Sequence, residues 1–253
     1  MKVIIYLMFF SLISSPLQAA ECFILKEKGK TLKSEGDICK TRFTPQSTFK
    51  IPLSLMAFDS EILKSESAPS FPFKDEYSPT LNVCKGHHNA KTWMRDSCVW
   101  FSQELTKKMG LKKFKNYVTS FNYGNMDISG EHPLTHSWLN SSLKISPVEQ
   151  TEFLEKVINQ KFSLRKQSYD HSKTILFNQE LSGGWKLYGK TGSGRHQGEL
   201  QHGWFVGWME KDNRKLVFAH LIADETPQSS FASFRSKNEL VTKLWYVINE
   251  LEK

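Results

Sequence analysis

Apolar positions recur along this chain in two rhythms. Ile51, Leu55, Phe58 and Ile62 return at spacings of four, three and four, which marks one face of an amphipathic helix. "SQELTKKMG" is helical with a stop at Gly110, and it places Glu104 and Lys108 as an i,i+4 pair. "SPVEQTEFLEKVI" opens with Ser146 as N-cap, Pro147 at the first helical position and Glu149 three residues on, a capping box. Leu240, Leu244, Ile248 and Leu251 share one side of a C-terminal helix. Elsewhere the rhythm is that of strands. "WKLYGKTG", "GWFVGWME" and "KLVFAHLIA" are aromatic and β-branched runs separated by Gly or by "KDNR", as in an antiparallel meander. "FILKEKGKTLKSEGDI" folds back on itself around Lys28-Gly29-Lys30. Strands near 21–44, helices over 47–160, then strands and a helix from about 183 predict an α/β fold whose sheet uses both chain ends. Helices form a second lobe at roughly 60–140, with a cleft between.

The first twenty residues stand apart from this pattern. Met1-Lys2 is a basic start, Val3 to Ile13 is almost wholly apolar, and "SSPLQAAE" carries small residues at Ala19 and Ala20. This is the layout of a secretory signal peptide over 1–20, and the apolar run is shorter than the roughly 18–20 residues of a membrane span. The expected mature protein is one domain, 21–253, exported to the periplasm and free of the membrane after cleavage. The formal charge of +8 comes from scattered residues rather than an arginine-rich run, which excludes nucleic acid as a natural partner and favours attraction of a small anion. Cys22, Cys39, Cys84 and Cys98 have no C-x-x-C spacing, and the eight histidines form no H-E-x-x-H or H-x-H motif, so no metal is assigned. Export permits disulfides; a Cys22–Cys39 bond across two strands and free thiols both fit. Cys98 reads as a small buried hydrophobe.

Chemistry concentrates in three short stretches. Ser47 and Lys50, in "STFK", lie three residues apart where the apolar helix begins, so their side chains share a face. A serine hydroxyl is a poor nucleophile until a base removes its proton, and a lysine serves only if its pKa falls from about 10.4 or its nitrogen is modified. The same S-x-x-K spacing occurs at Ser141–Lys144 and Ser163–Lys166, but Ser47 alone opens a well-patterned apolar helix after Pro45. Further on, "DSCVW" supplies Ser97, and "YGKTGSG" supplies Lys190, Thr191 and Gly192 on a strand. In that triplet Lys190 offers a charge for a carboxylate, Thr191 a hydroxyl, and Gly192 room for a substrate to lie along the strand edge.

S-x-x-K and K-T-G belong to the motif set of serine β-lactamases and penicillin-binding proteins. With "SCV" at 97–99, "YGN" at 123–125, "SWLNSSLKISP" at 137–147 and "GWFVGW" at 203–208, nearly the whole mature chain resembles the class D, or oxacillinase-type, β-lactamases. Val99 stands where class A has the asparagine of S-D-N, and His136 stands where class A has its deacylating glutamate. The resemblance implies a serine β-lactamase/penicillin-binding-protein-like fold and a small β-lactam substrate. It implies no cofactor beyond the CO2 or bicarbonate that carboxylates Lys50. Ser47 is then the nucleophile and carboxylated Lys50 the base for both half-reactions. Ser97 is the proton relay, Trp138 the indole that holds the carbamate, and the backbone N–H groups of Ser47 and Ser193 the oxyanion hole. Val99 and Leu139 join Phe49 in walling the lysine with apolar surface. Lys190, Thr191 and Gly192 bind substrate with a further carboxylate partner, for which Ser233 is favoured and Arg235 competes. Tyr123-Gly124-Asn125 shapes the cleft. A penicillin-binding protein and a β-lactam sensor share parts of this pattern and differ in turnover.

Overall fold

A computed structural model describes residues 19–77 and 81–252. The expected leader lies almost wholly outside them. The chain opens with a hairpin, β1 (Ala20–Glu27) and β2 (Lys30–Gly36), turning at Lys28-Gly29. A short 3₁₀ turn, Gln46–Phe49, leads into α1 (Lys50–Asp59). The helical lobe follows: a two-residue ladder, β3 (Phe71–Pro72) with β4 (His87–His88), then α2 (Ala90–Asp96), α3 (Val99–Met109) and α4 (Leu111–Ser120). Next come α5 (Pro147–Ile158), α6 (Lys166–Leu176), β5 (Phe177–Glu180), the meander β6 (Lys186–Gln197), β7 (Leu200–Lys211) and β8 (Arg214–Ala223), and α7 (Ala232–Leu251). The main sheet runs β2-β1-β8-β7-β6-β5, all antiparallel, so the two chain ends meet at the β1–β8 pairing.

The continuous apolar runs of the meander have a simple cause: both faces of the sheet are covered. Trp204, Val206 and Trp208 of β7 join Val217, Ala219 and Leu221 of β8 in the core shared with α1 and the helical lobe. The alternating residues Phe205, Met209, Leu216 and Phe218 join Leu240, Leu244, Val247 and Ile248 of α7 in a second core. Two-residue periodicity sorts one strand onto two interiors. Edge strand β2 is mostly exposed and polar, which discourages pairing with another chain.

Several expectations change on folding. The helix from Lys50 is not amphipathic: Lys50 through Phe58 are all buried, and it ends at Asp59, before Ile62. It is a central helix packed on all sides, so one apolar face understated its burial. Glu104 pairs with Lys107 at 3.3 Å rather than with Lys108, whose ammonium lies 5.1 Å from the centre of the Phe71 ring. The capping box at Ser146 and Glu149 forms, with Ser146 Oγ accepting from Glu149 N at 3.3 Å and Glu149 Oε2 accepting from Ser146 N at 2.9 Å. Both cysteine pairs are disulfides. Cys22–Cys39 ties β1 to the segment beyond β2 rather than to a partner strand. Cys98 is not a free thiol filling space: it bonds Cys84 and so ties the start of α3 to the lobe. No helix among the described residues is long and apolar enough to cross a membrane.

Candidate active site

The site forms where the 3₁₀ turn before α1 lies against β6. β5 pairs β6 only as far as Tyr188, so beyond it that edge of β6 has no strand partner among the described residues. Gly192 sits there, and a Cβ at this position would lie 2.8 Å from Pro45 O and 3.1 Å from Thr48 N. Only a glycine lets the strand approach the turn this closely. Gly203, opposite Ser193 on β7, plays the same part for α7: a side chain there would collide with the backbone of Ala232 and Ser233.

Lys50 is 1% exposed, and its Nζ donates to Ser47 Oγ at 3.1 Å. Burial, and after it the charge of Lys190, holds the Lys50 amine well below its ordinary pKa. Burial thus favours the uncharged form of the amine beside the hydroxyl. Aromatic rings hold the backbone beneath it: Phe49 stacks on Trp138 with centroids 5.2 Å apart and meets Phe114 and Tyr123 edge-on. Ser47 lies within the 3₁₀ turn rather than at the first turn of a regular α-helix. Gln46, just before it, holds φ at +53°, its N–H donating to Trp138 O at 3.0 Å.

Ser97 ends α2 in the left-handed region, φ +61°, next to the Cys84–Cys98 bond. Asn140, after Leu139, is also left-handed at φ +50°. Non-glycine residues in this region cost energy and persist where surrounding structure holds them, a pattern that clusters at functional sites. Val99, at the start of α3, and Leu139 are both partly exposed, and Leu139 packs against the main core.

Across from Ser47, Lys190 is 6% exposed, and its Nζ donates to Thr191 O at 3.1 Å. Burial, and then the nearby Lys237, lower its pKa to about 8. Ser193 and Ser233 join Oγ to Oγ at 2.5 Å, so β6 and the start of α7 present linked hydroxyls. Arg235 is otherwise engaged: its Nη2 donates to both carboxylate oxygens of buried Asp224, at 2.7 and 2.8 Å. A cavity of about 1320 Å³ opens beside β6, walled by Lys190, Thr191, Tyr188, Phe234 and Lys237, among others. Ser47 and Lys50 are not among its walls. Tyr123 is buried, and Asn125 donates to Ser142 O at 2.8 Å and accepts from Lys144 N at 2.9 Å, fixing the chain just beyond Asn140.

Lys237 escaped the motif reading. It lies one turn after Ser233 on α7, and i,i+4 spacing from a candidate site residue was the signal that could have found it.

Comparison with known proteins places the chain in a family. Residues 24–245 match the penicillin-binding-protein transpeptidase domain. β-Lactamase OXA-1 of Escherichia coli is 39% identical over 246 residues, covering 92% of this chain and 88% of its own. β-Lactamase OXA-9 of Klebsiella pneumoniae is 36% identical over 249 residues, covering 92% and 90%. The solved structure of the OXA-427 class D β-lactamase superposes with a TM-score of 0.86 at 38% identity, over 91% of this chain and 99% of that one. This chain belongs to the penicillin-binding-protein transpeptidase family and, within it, to the class D β-lactamases.

Proposed function

We propose that this protein is an exported serine hydrolase that opens β-lactam rings through an ester on Ser47, with carboxylated Lys50 as its base, and so confers β-lactam resistance. The observation that carries the proposal is the buried Lys50 amine, 3.1 Å from Ser47 Oγ and depressed below its usual pKa. Carbon dioxide adds only to a neutral amine; the nitrogen forms the new N–C bond and releases one proton, leaving an anionic carbamate. Trp138 is assigned to hold that carbamate through its indole N–H, with Val99 and Leu139 limiting water around it.

In acylation the carbamate takes the Ser47 proton as Oγ attacks the ring carbonyl. The resulting oxyanion is received by the backbone N–H groups of Ser47 and Ser193; one such donor typically contributes roughly 10²–10³ in rate. The C–N bond then breaks, and Ser97 passes a proton to the departing nitrogen. Lys190, Thr191 and Ser233 hold the substrate carboxylate along the strand edge left open by Gly192. Ser233 is preferred to Arg235 because Asp224 already occupies that guanidinium. In deacylation the same carbamate removes a proton from water, which attacks the ester and frees Ser47. Export through a leader at 1–20 places this activity in the periplasm.

The test is turnover of a chromogenic cephalosporin by mature protein supplied with ¹³C-bicarbonate. Sustained hydrolysis, a carbamate ¹³C resonance that disappears in Lys50→Ala, and an intact-mass adduct on Ser47 with a slow β-lactam are expected. A single stoichiometric burst without turnover would identify a β-lactam sensor instead. Hydrolysis unaffected by removing CO2, with no carbamate resonance, would remove Lys50 carboxylation from the mechanism.

A further inference from the structure

Where α7 lies over β1 and β8, six residues on from Ser233, three side chains from three elements converge. Glu21 and Phe23 lie on one face of β1, and Phe23 pairs with His220 of β8, so Glu21 and His220 are diagonal neighbours across the two strands. α7 covers this face and brings Glu239. One ligand atom from each of Glu21, His220 and Glu239 lies within 4.8 Å of the others.

His220 is completely buried, and its two nitrogens have unequal surroundings. Nδ1 lies 2.9 Å from Ser236 O and 3.1 Å from Ser236 Oγ. A carbonyl only accepts, so Nδ1 donates to it, and Nε2 is the nitrogen left to face the carboxylate. That Nε2 is buried with no hydrogen-bond partner, facing Glu21 Oε2 at 3.5 Å. A neutral imidazole there would face the carboxylate acceptor to acceptor, an unfavourable arrangement for a buried group unless a cation lies between them. The separation matches neighbouring ligands on tetrahedral zinc, about 3.4 Å apart when each lies about 2.1 Å from the ion. An imidazole whose other nitrogen donates to a carbonyl is also the usual second layer of a histidine ligand.

We propose that Glu21, His220 and Glu239 form a site for one zinc ion, distinct from the serine chemistry, that fastens β1, β8 and α7 together. Two carboxylates and a neutral imidazole balance the ion's charge, and exposed Glu239 leaves a coordination position open to water. Lys243 is the resident competitor: its Nζ lies 3.6 Å from Glu21 Oε1 and 3.2 Å from Glu35 Oε2. Zinc displaces it from Glu21 alone, leaving its pairing with Glu35. A leader cut after Ala20 retains every ligand.

The test is equilibrium dialysis of untagged, chelator-stripped mature protein against ZnCl2, with thermal unfolding followed in parallel. One ion per chain is expected, raising the melting temperature by roughly 5–10 °C at a hundredfold excess over Kd. Glu239→Gln should weaken binding at least about tenfold and abolish the thermal shift without altering β-lactam turnover. Lys243→Met should tighten binding. Cobalt(II) in place of zinc should give the intense visible bands of a tetrahedral ion, lost in Glu239→Gln. The proposal is overturned by the absence of saturable stoichiometric binding, or by binding that Glu239→Gln leaves unchanged; a proton shared between His220 and Glu21 is then the resident of the pocket.

Discussion

The spacing S-x-x-K opens both α1 and α6, two helices that pack on each other through Ser54 Oγ and Ser172 Oγ, 3.0 Å apart. At α1 the lysine is buried, and its amine reaches back to Ser47 Oγ. At α6 Ser163 is exposed and the Lys166 side chain is 75% exposed, its amine turned forward to Asp170 at 2.5 Å. Lys144, in the third copy, is exposed as well. Only at α1 does helical backbone join the pair, since Ser47 lies in the 3₁₀ turn that runs into Lys50, whereas the extended backbone of Arg165 separates Ser163 from Lys166. The solvent differs as well: α1 runs through the centre of the molecule, while the first turn of α6 faces water. Desolvation turns an ordinary ammonium into a neutral amine, and no arrangement of three residues supplies desolvation by itself.

The sharpest way to break this contrast is to remove both amines in turn. Lys50→Ala should lower kcat by roughly 10²–10⁴ or more, the contribution of a positioned base, while circular dichroism stays that of the folded protein. Lys166→Ala should leave turnover unchanged and shift stability by less than about 1 kcal/mol, as for an exposed pair. Comparable losses from both would show that burial is not what distinguishes them.

The second test concerns what holds Ser97 at the end of α2. Its left-handed backbone adjoins a disulfide closing a separation of 14 residues. Replacing Cys84 and Cys98 together by alanine should cost about 3 kcal/mol in denaturant unfolding and lower turnover less than Lys50→Ala does. Unchanged kinetics would mean that Ser97 is placed without the bond.

The smallest effect compares buried Lys190 with its half-buried neighbour Lys237. Lys190 must carry its proton to hold a carboxylate, so kcat/KM should fall as pH rises through about 8. Lys237 disfavours that proton, so Lys237→Met should move the alkaline limb to higher pH. A limb that stays in place, or moves down, would exclude Lys237 from the electrostatics of the cleft.

The elements legible before folding were those whose cause is local. The capping box at Ser146, the β6–β8 meander and the hairpin at Gly29 follow from nearest-neighbour chemistry and strand periodicity. α6 left no such trace, because it packs on α1 partly through Ser168 and Ser172, so its buried face is partly polar. β5 is short and mostly exposed and carries no apolar alternation. The serine and lysine motifs pointed to the site because acyl transfer needs those groups at those spacings.

By itself the sequence determined which residues could react and which helices and strands would carry them, since side-chain chemistry and backbone periodicity are written within a few neighbours. Tertiary structure alone decided which of three identical spacings loses its water, that Asp224 holds the Arg235 guanidinium, and that Cys98 bonds Cys84. It also brought Glu21, His220 and Glu239 together from β1, β8 and α7. Burial and long-range pairing are properties of segments distant in the chain, and they exist only once those segments pack.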